Sequence, residues 1–213
     1  MQIPMISADT LEAFALVFLR TSAIVATMPV LGDKVVPVRV KAGFALLLAG
    51  LLFRVVPPGG GNFDVGLVPL ALRMASEAVI GVVIGFAAQV IFAGVQLAGE
   101  LIGFQMGFAI VNVIDPVTSA QVSIIAEFQY LVALLLFLIF NGHHLFIAAI
   151  AESFRVLNPL SLNYSGALIA TILELSKGIF TVAVKLSAPL VAVMFFTQIA
   201  LGIVARTVPQ INI

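Results

Sequence analysis

Apolar residues run along this chain in long blocks, cut by short polar or Pro/Gly-containing breaks, and blocks of that length predict helices rather than strands. A first helix is expected from a cap at Asp9 or Thr10 to about Met28, where Pro29 and Gly32 stop it. After a polar loop carrying Asp33, Lys34, Pro37, Arg39 and Lys41, a second helix is expected from about Val38 to Val55, ending at "PPGGGN", the clearest linker in the chain. Pro69 opens a third from about Leu70. It is expected to run towards Val113, with a break near Glu100 or the neighbouring glycines as the alternative. Beyond a turn at Asp115-Pro116, a helix from about Ser119 should reach Phe140, where "NGHH" interrupts the pattern. A shorter helix should end near Val156, before "LNPLSLN". One more segment is expected from Ser165 to about Lys185, and Pro189 lies in or begins the last apolar stretch, which closes at Arg206.

Length and composition turn these helices into membrane-type helices. Residues Ala78 to Gly99 carry no formal charge, and a run of about 20 apolar residues spans a bilayer. Hydrophobic residues make up 62% of the chain and charged residues 9%, whereas soluble domains have about 25% charged residues. The surface must therefore meet lipid, protein partners or both. The expected fold is all-α and integral to the membrane, in one domain over residues 1–213, with no internal repeat of fixed period. "MQIPMISADTLEAFALVFLR" lacks the basic start of a cleavable signal peptide, so the first helix is read as retained.

Charge refines the picture. The formal net charge is zero and the basic residues are scattered, which argues against nucleic acid as a partner. Lys34, Arg39 and Lys41 make the first loop net positive, which places it in the cytoplasm and the N-terminus outside. Arg20, Glu77, Glu100, Glu127, Glu174, Lys177 and Lys185 all fall in or beside apolar helices. Each costs roughly 2.5–3.5 kcal/mol at a helix centre. Arg73–Glu77 and Glu174–Lys177 have the spacing to pair along a helix face, whereas Arg20 and Glu100 have no local partner. So many charges predict helices that are short, broken or packed against other protein.

The stretch "GELIGFQMGFAIVNVIDPVTSAQ", residues 99–121, combines Gly99, Gly103 and Gly107 at four-residue spacing with a helix-breaking Asp-Pro. Small residues at that spacing let backbones approach closely, and Gly81 and Gly85 repeat it upstream. There is no cysteine, which removes disulfides and thiolate ligands. His143 and His144 are adjacent and point in different directions on a helix, so a loop or helix-start pair outweighs a metal site. No cofactor is expected. Glu127 and Glu152 raise the possibility of a proton relay, and structural pairing ranks above it. No Ser/His/Asp group, phosphate loop or paired catalytic acids occur at usable spacing, so the chain is not expected to be an enzyme. Phe104 and Phe108 flank the glycines; bulky apolar side chains fill cores, and they also block pores by dewetting them.

The loop "FLRTSAIVATMPVLGDKVVPVRVKAG", residues 18–43, holds Phe18, Arg20, Pro29, Gly32, Pro37, Arg39 and Lys41 at the spacing of the FliR/SctT family of type III secretion export-apparatus proteins. The resemblance continues through "GELIGFQMGFAIVNVIDP", "NGHH" and "RTVPQINI" and covers nearly the whole chain. It implies a non-enzymatic subunit of an export gate that joins FliP- and FliQ-like subunits, with an FlhB- or SctU-like switch protein as a further partner and unfolded proteins as substrate. The architecture implied is a fused FliP-like and FliQ-like unit of broken, tilted helical hairpins, and the location the bacterial inner membrane, among its lipid, at the centre of a flagellar basal body or injectisome. Such an assembly explains the awkward charges, which would meet protein or an aqueous channel. The resemblance also implies a pore plug over residues 106–121, carried onto Met106, Gly107, Phe108, Ile110, Val111, Asn112, Val113, Ile114, Asp115 and Pro116. Gly99 and Gly103, with Gly107, are expected as packing and hinge positions, and Arg20, Arg39, Lys41 and Glu100 as structural charges. Family members usually continue past the "PQ-x-N" motif with another apolar hairpin segment, which a sequence ending at Ile213 is expected to lack. A secondary transporter for a small solute is the runner-up, and it would want inverted repeats that the sequence does not display.

Overall fold

The computed structural model describes residues 8–33, 35–54, 66–108, 123–157 and 167–207. The described residues form six helices: α1 (Ala8–Thr27), α2 (Val38–Phe53), α3 (Leu67–Gln105), α4 (Ile124–Ile139), α5 (Gly142–Val156) and α6 (Ala167–Thr207). The fold is all-α, as the sequence predicts. Three helices, α1, α3 and α6, are long and apolar enough to cross a membrane, and α4 with α5 adds a fourth candidate if that broken pair counts as one span.

Two boundaries differ from expectation. α3 runs unbroken through Glu100, Gly99 and Gly103 but does not continue towards Val113: it ends at Gln105, beside the third glycine, Gly107. Glycine costs a helix about 1 kcal/mol relative to alanine, and the close contacts described below offset that. The two segments expected around Lys185 and Pro189 are one helix, with Pro189 inside it. Proline removes the hydrogen bond to the carbonyl four residues back, here that of Lys185, and the apolar turns on either side keep the helix going.

The chain divides into two compact units, residues 1–89 with 137–173 and residues 90–136 with 174–213. In the first, Val17, Ile24 and Val25 of α1 meet Ala45, Leu48, Ala49 and Leu52 of α2 and Ile150 and Phe154 of α5. The α2 set repeats at three and four residues, which gathers it on one stripe. Phe14 closes the open end of this core edge-on to Phe53, ring centroids 5.6 Å apart.

The corner between α1 and α2 is tight. Pro29 follows the last helical turn and lacks an N–H. Val30 then takes a positive φ of 74°, a strained state for a β-branched residue. The Gly32 amide returns to the Met28 carbonyl at 2.7 Å. A Cβ on Gly32 would sit 2.5 Å from that oxygen and 2.8 Å from the Ala26 carbonyl oxygen, so only glycine fits. Lys41, from the first turns of α2, donates to the carbonyls of Gly32 (2.9 Å) and Asp33 (2.8 Å) and clips the corner shut.

In the second unit, α3, α4 and α6 pack through small residues. Gly94 faces Val182, and Gly178 faces Val90. Phe92 meets Tyr130 edge-on with centroids 6.0 Å apart. α6 buries Ala183 and Ser187, but none of its most apolar window is buried within the chain.

Candidate functional site

The charge that the sequence leaves unpartnered is the best-partnered side chain in the fold. Arg20 is 0% exposed and Glu77 1%. The Arg20 guanidinium donates through Nη2 to Glu77 Oε1 at 2.9 Å, and its Nε donates to Oε2. Two parallel N–H groups on one carboxylate form the bidentate geometry that arginine supplies and lysine cannot. Nη1 donates to the carbonyls of Ser153 and Leu157, both at 2.9 Å. Those oxygens sit at the end of α5, where a cation is favoured, and the Ser153 carbonyl also accepts from the Leu157 amide at 2.9 Å. The guanidinium also lies over the Phe154 ring, 4.4 Å from its centroid. One side chain therefore ties α1, α3 and α5 together.

This corrects two expectations. Glu77 pairs with Arg20, 57 residues away in sequence, and not with Arg73 along its own helix. The expected Glu174–Lys177 pair is likewise absent: among the described residues the ion pairs are Arg20–Glu77 and the exposed Arg155–Glu152. Glu100 and Arg39 are exposed, and Lys41 serves the α1–α2 corner.

The expected glycine stripe separates into distinct roles. At Gly99 a Cβ would run into the Ala126 backbone, 2.9 Å from its nitrogen, and at Gly103 into the Ser123 hydroxyl. Both glycines thus seat α3 against the start of α4 within this chain. Gly107 has nothing within 4 Å; its requirement is conformational, a φ of +81°. The Phe108 amide bonds the Gly103 carbonyl at 3.1 Å and the Gly107 amide bonds the Phe104 carbonyl at 3.1 Å, the paired closure of a Schellman motif. Gly107 ends the helix and is not part of its packing face. Upstream, Gly81 and Gly85 do pack as a pair. A Cβ on Gly81 would lie 2.6 Å from Ala23 Cβ and 2.7 Å from the Arg20 carbonyl oxygen, and one on Gly85 would strike the Thr27 side chain.

Of the plug positions, Met106, Gly107 and Phe108 fall in this terminal turn, and all three are exposed. Ile110, Val111, Asn112, Val113, Ile114, Asp115 and Pro116 lie outside the described residues. Just before the turn, Gln105 reaches Gln198 of α6 at 3.5 Å. The two histidines stack with centroids 4.3 Å apart at the start of α5, and no group of three or more metal-ligating side chains occurs among the described residues. Asn141, which precedes them, has φ 55°, and that left-handed residue makes the break between α4 and α5.

Helices of membrane length with a charge pair sealed inside and much apolar surface uncovered define an integral membrane protein of helical hairpins. The chain belongs to the bacterial export proteins, family 1, whose family model matches residues 11–213. It is 41% identical to the flagellar biosynthetic protein FliR of Bacillus subtilis, over 96% of this chain and 80% of that protein. It is 35% identical to the FliR of Escherichia coli K12 over 92% of this chain and 74% of that one, and 31% identical to that of Caulobacter vibrioides over 93% and 79%.

Proposed function

We propose that this protein is a subunit of the flagellar protein-export gate in the bacterial inner membrane, assembling with FliP- and FliQ-like subunits into a pore for unfolded flagellar proteins. The likeness to FliR proteins along nearly the whole chain carries the reading. The bare surface supports it. α6 leaves Phe180, Leu186, Leu190, Phe195 and Phe196 exposed, on the same helix as the exposed charges Glu174, Lys177 and Lys185. A surface that is oily and charged along one helix suits neighbouring protein better than lipid. An FlhB-like switch protein is a further neighbour in this reading, and the energy for transport comes from elsewhere.

The segment 106–121 closes the pore at rest and moves aside during export. The support is the clean end of α3 at Gly107, which leaves Met106 and Phe108 exposed, and a sequence beyond it that is apolar up to the helix-breaking Asp115-Pro116. Removing residues 108–118 from the chain, co-expressed with FliP- and FliQ-like subunits, is expected to make the membrane leaky to ions. An assembled mutant complex with wild-type conductance would refute the gating role. Failure of the chain to co-purify with such subunits would refute the assembly.

A further inference from the structure

α1 and α3 run parallel in the first unit. Gly81 lies at the level of Arg20 to Ile24, and Gly85 at the level of Thr27, so both helices climb together. The residues that meet are spaced one turn apart, Arg20, Ala23 and Thr27 on α1 and Glu77, Gly81 and Gly85 on α3. Helical spacing continues the rows to Leu16 and Glu12 on α1 and to Arg73 on α3. Gly81 touches the Arg20 backbone. Stepping back two turns and a little from each, about 12 Å, reaches Arg73 on α3 and Glu12 on α1. Counted from Ala23, which Gly81 also touches, the same step ends at Ala15, so Glu12 lies up to about 4–5 Å below Arg73 along the seam, a gap that two long side chains span.

Both bear the mark of a missing partner. Glu12 Oε1 and Arg73 Nη1 are buried atoms without a hydrogen bond. A buried carboxylate oxygen or guanidinium N–H left unbonded is costly. Their charges are opposite, and their side chains are long.

We propose that Glu12 and Arg73 close on one another as a second ionic rung of the α1–α3 seam, with the signs reversed relative to the Arg20–Glu77 rung. Reversal gives the seam a single register. Sliding α1 by two turns along α3 would set Arg20 against Arg73, two like charges in an apolar seam. A seam of glycines and alanines alone would resist such a slide only through shape. The inference concerns how the first unit holds its register and stands apart from the gate reading. A competitor exists for Glu12. Arg54 ends α2 beside Phe53, whose ring meets Phe14.

The absence of cysteine in the chain makes the test clean. In the full-length protein in membranes, Glu12→Cys with Arg73→Cys is expected to cross-link with a short bis-maleimide. A cross-link from Glu12→Cys to Arg54→Cys in its place, or to neither, overturns the proposal. The reversals Glu12→Arg and Arg73→Glu are each expected to raise the unfolding constant in detergent roughly tenfold, and the double swap to return it to within about threefold of wild type, as coupled neighbours do. A swap no more stable than the single variants also overturns it, whether or not the cysteines cross-link.

Discussion

Replacing Arg20 with methionine keeps most of the side chain's volume and removes its charge. Glu77 then faces the interior without a counter-charge, and the carbonyls of Ser153 and Leu157 lose the donor that closes α5. Removing one member of a buried pair costs about 3–5 kcal/mol. For a chain of this size each kcal/mol moves the melting point by about 2–4 °C, so Arg20→Met should lower it by about 6–20 °C. The companion variant Arg20→Met with Glu77→Met leaves no buried charge, and apolar replacement of a whole pair is often neutral or better. What it still loses is the donor to two carbonyls, about 1–3 kcal/mol. The double variant should therefore melt above the single one, though it changes more residues. Thermal melts followed by helical circular dichroism in detergent compare them directly. A double variant that melts no higher than Arg20→Met would show that the damage lies in lost shape and not in an abandoned charge, and the reasoning about this joint would fail.

The glycines separate into testable classes. Gly99→Ala pushes a methyl into the Ala126 backbone; overpacking of about 1–3 kcal/mol should lower the melting point by about 2–12 °C, and an unchanged melt would deny the contact. Gly107→Ala meets no neighbour and pays only for its left-handed φ, about 1–2 kcal/mol, so Gly107→Asn should recover part of the loss in the same melt. Gly50 lies inside α2 with open space around it, so Gly50→Ala is expected to stabilise by about 0.5–1 kcal/mol. Lys41→Met removes the clip on the Gly32 and Asp33 carbonyls and should open the α1–α2 corner to limited proteolysis at fixed protease concentration. A cleavage rate equal to that of wild type would deny the clip its role.

Helix type, order and several boundaries are legible in the sequence because long apolar blocks leave a hydrogen-bonded backbone few alternatives. α2 and α5 fall within two residues of their expected ends. Pro189 misleads because its local cost is outweighed by apolar turns before and after it. The glycine at 107 looks like a third member of a stripe because spacing alone does not report the sign of φ. The pairing of Glu77 escapes a sequence reading for a different reason. Arg73 sits at the right helical spacing, and nothing local reveals that Arg20, 57 residues upstream, arrives on the same face with a better fit. The signal that was available is the i, i+4 row Glu77, Gly81, Gly85, which marks the side of α3 that another helix must approach closely.

Leu186 to Ala205 of α6 is free of formal charge, between Lys185 and Arg206, and at 1.5 Å per residue it measures about 30 Å, the hydrocarbon thickness of a bilayer. The whole helix, at 41 residues, is therefore about twice as long as the hydrocarbon layer is thick. Its first half, from Ala167 to Lys185, adds about as much length again and leaves Ile169, Leu173, Phe180 and Val184 uncovered by this chain. Tilting the whole helix into the membrane would need an angle near 60°, outside the 0–40° that spanning helices adopt. Tilt alone thus cannot place the whole helix among acyl chains, and part of its apolar surface calls for cover other than lipid. The length of one helix sets a demand for cover that the thickness of a bilayer does not meet.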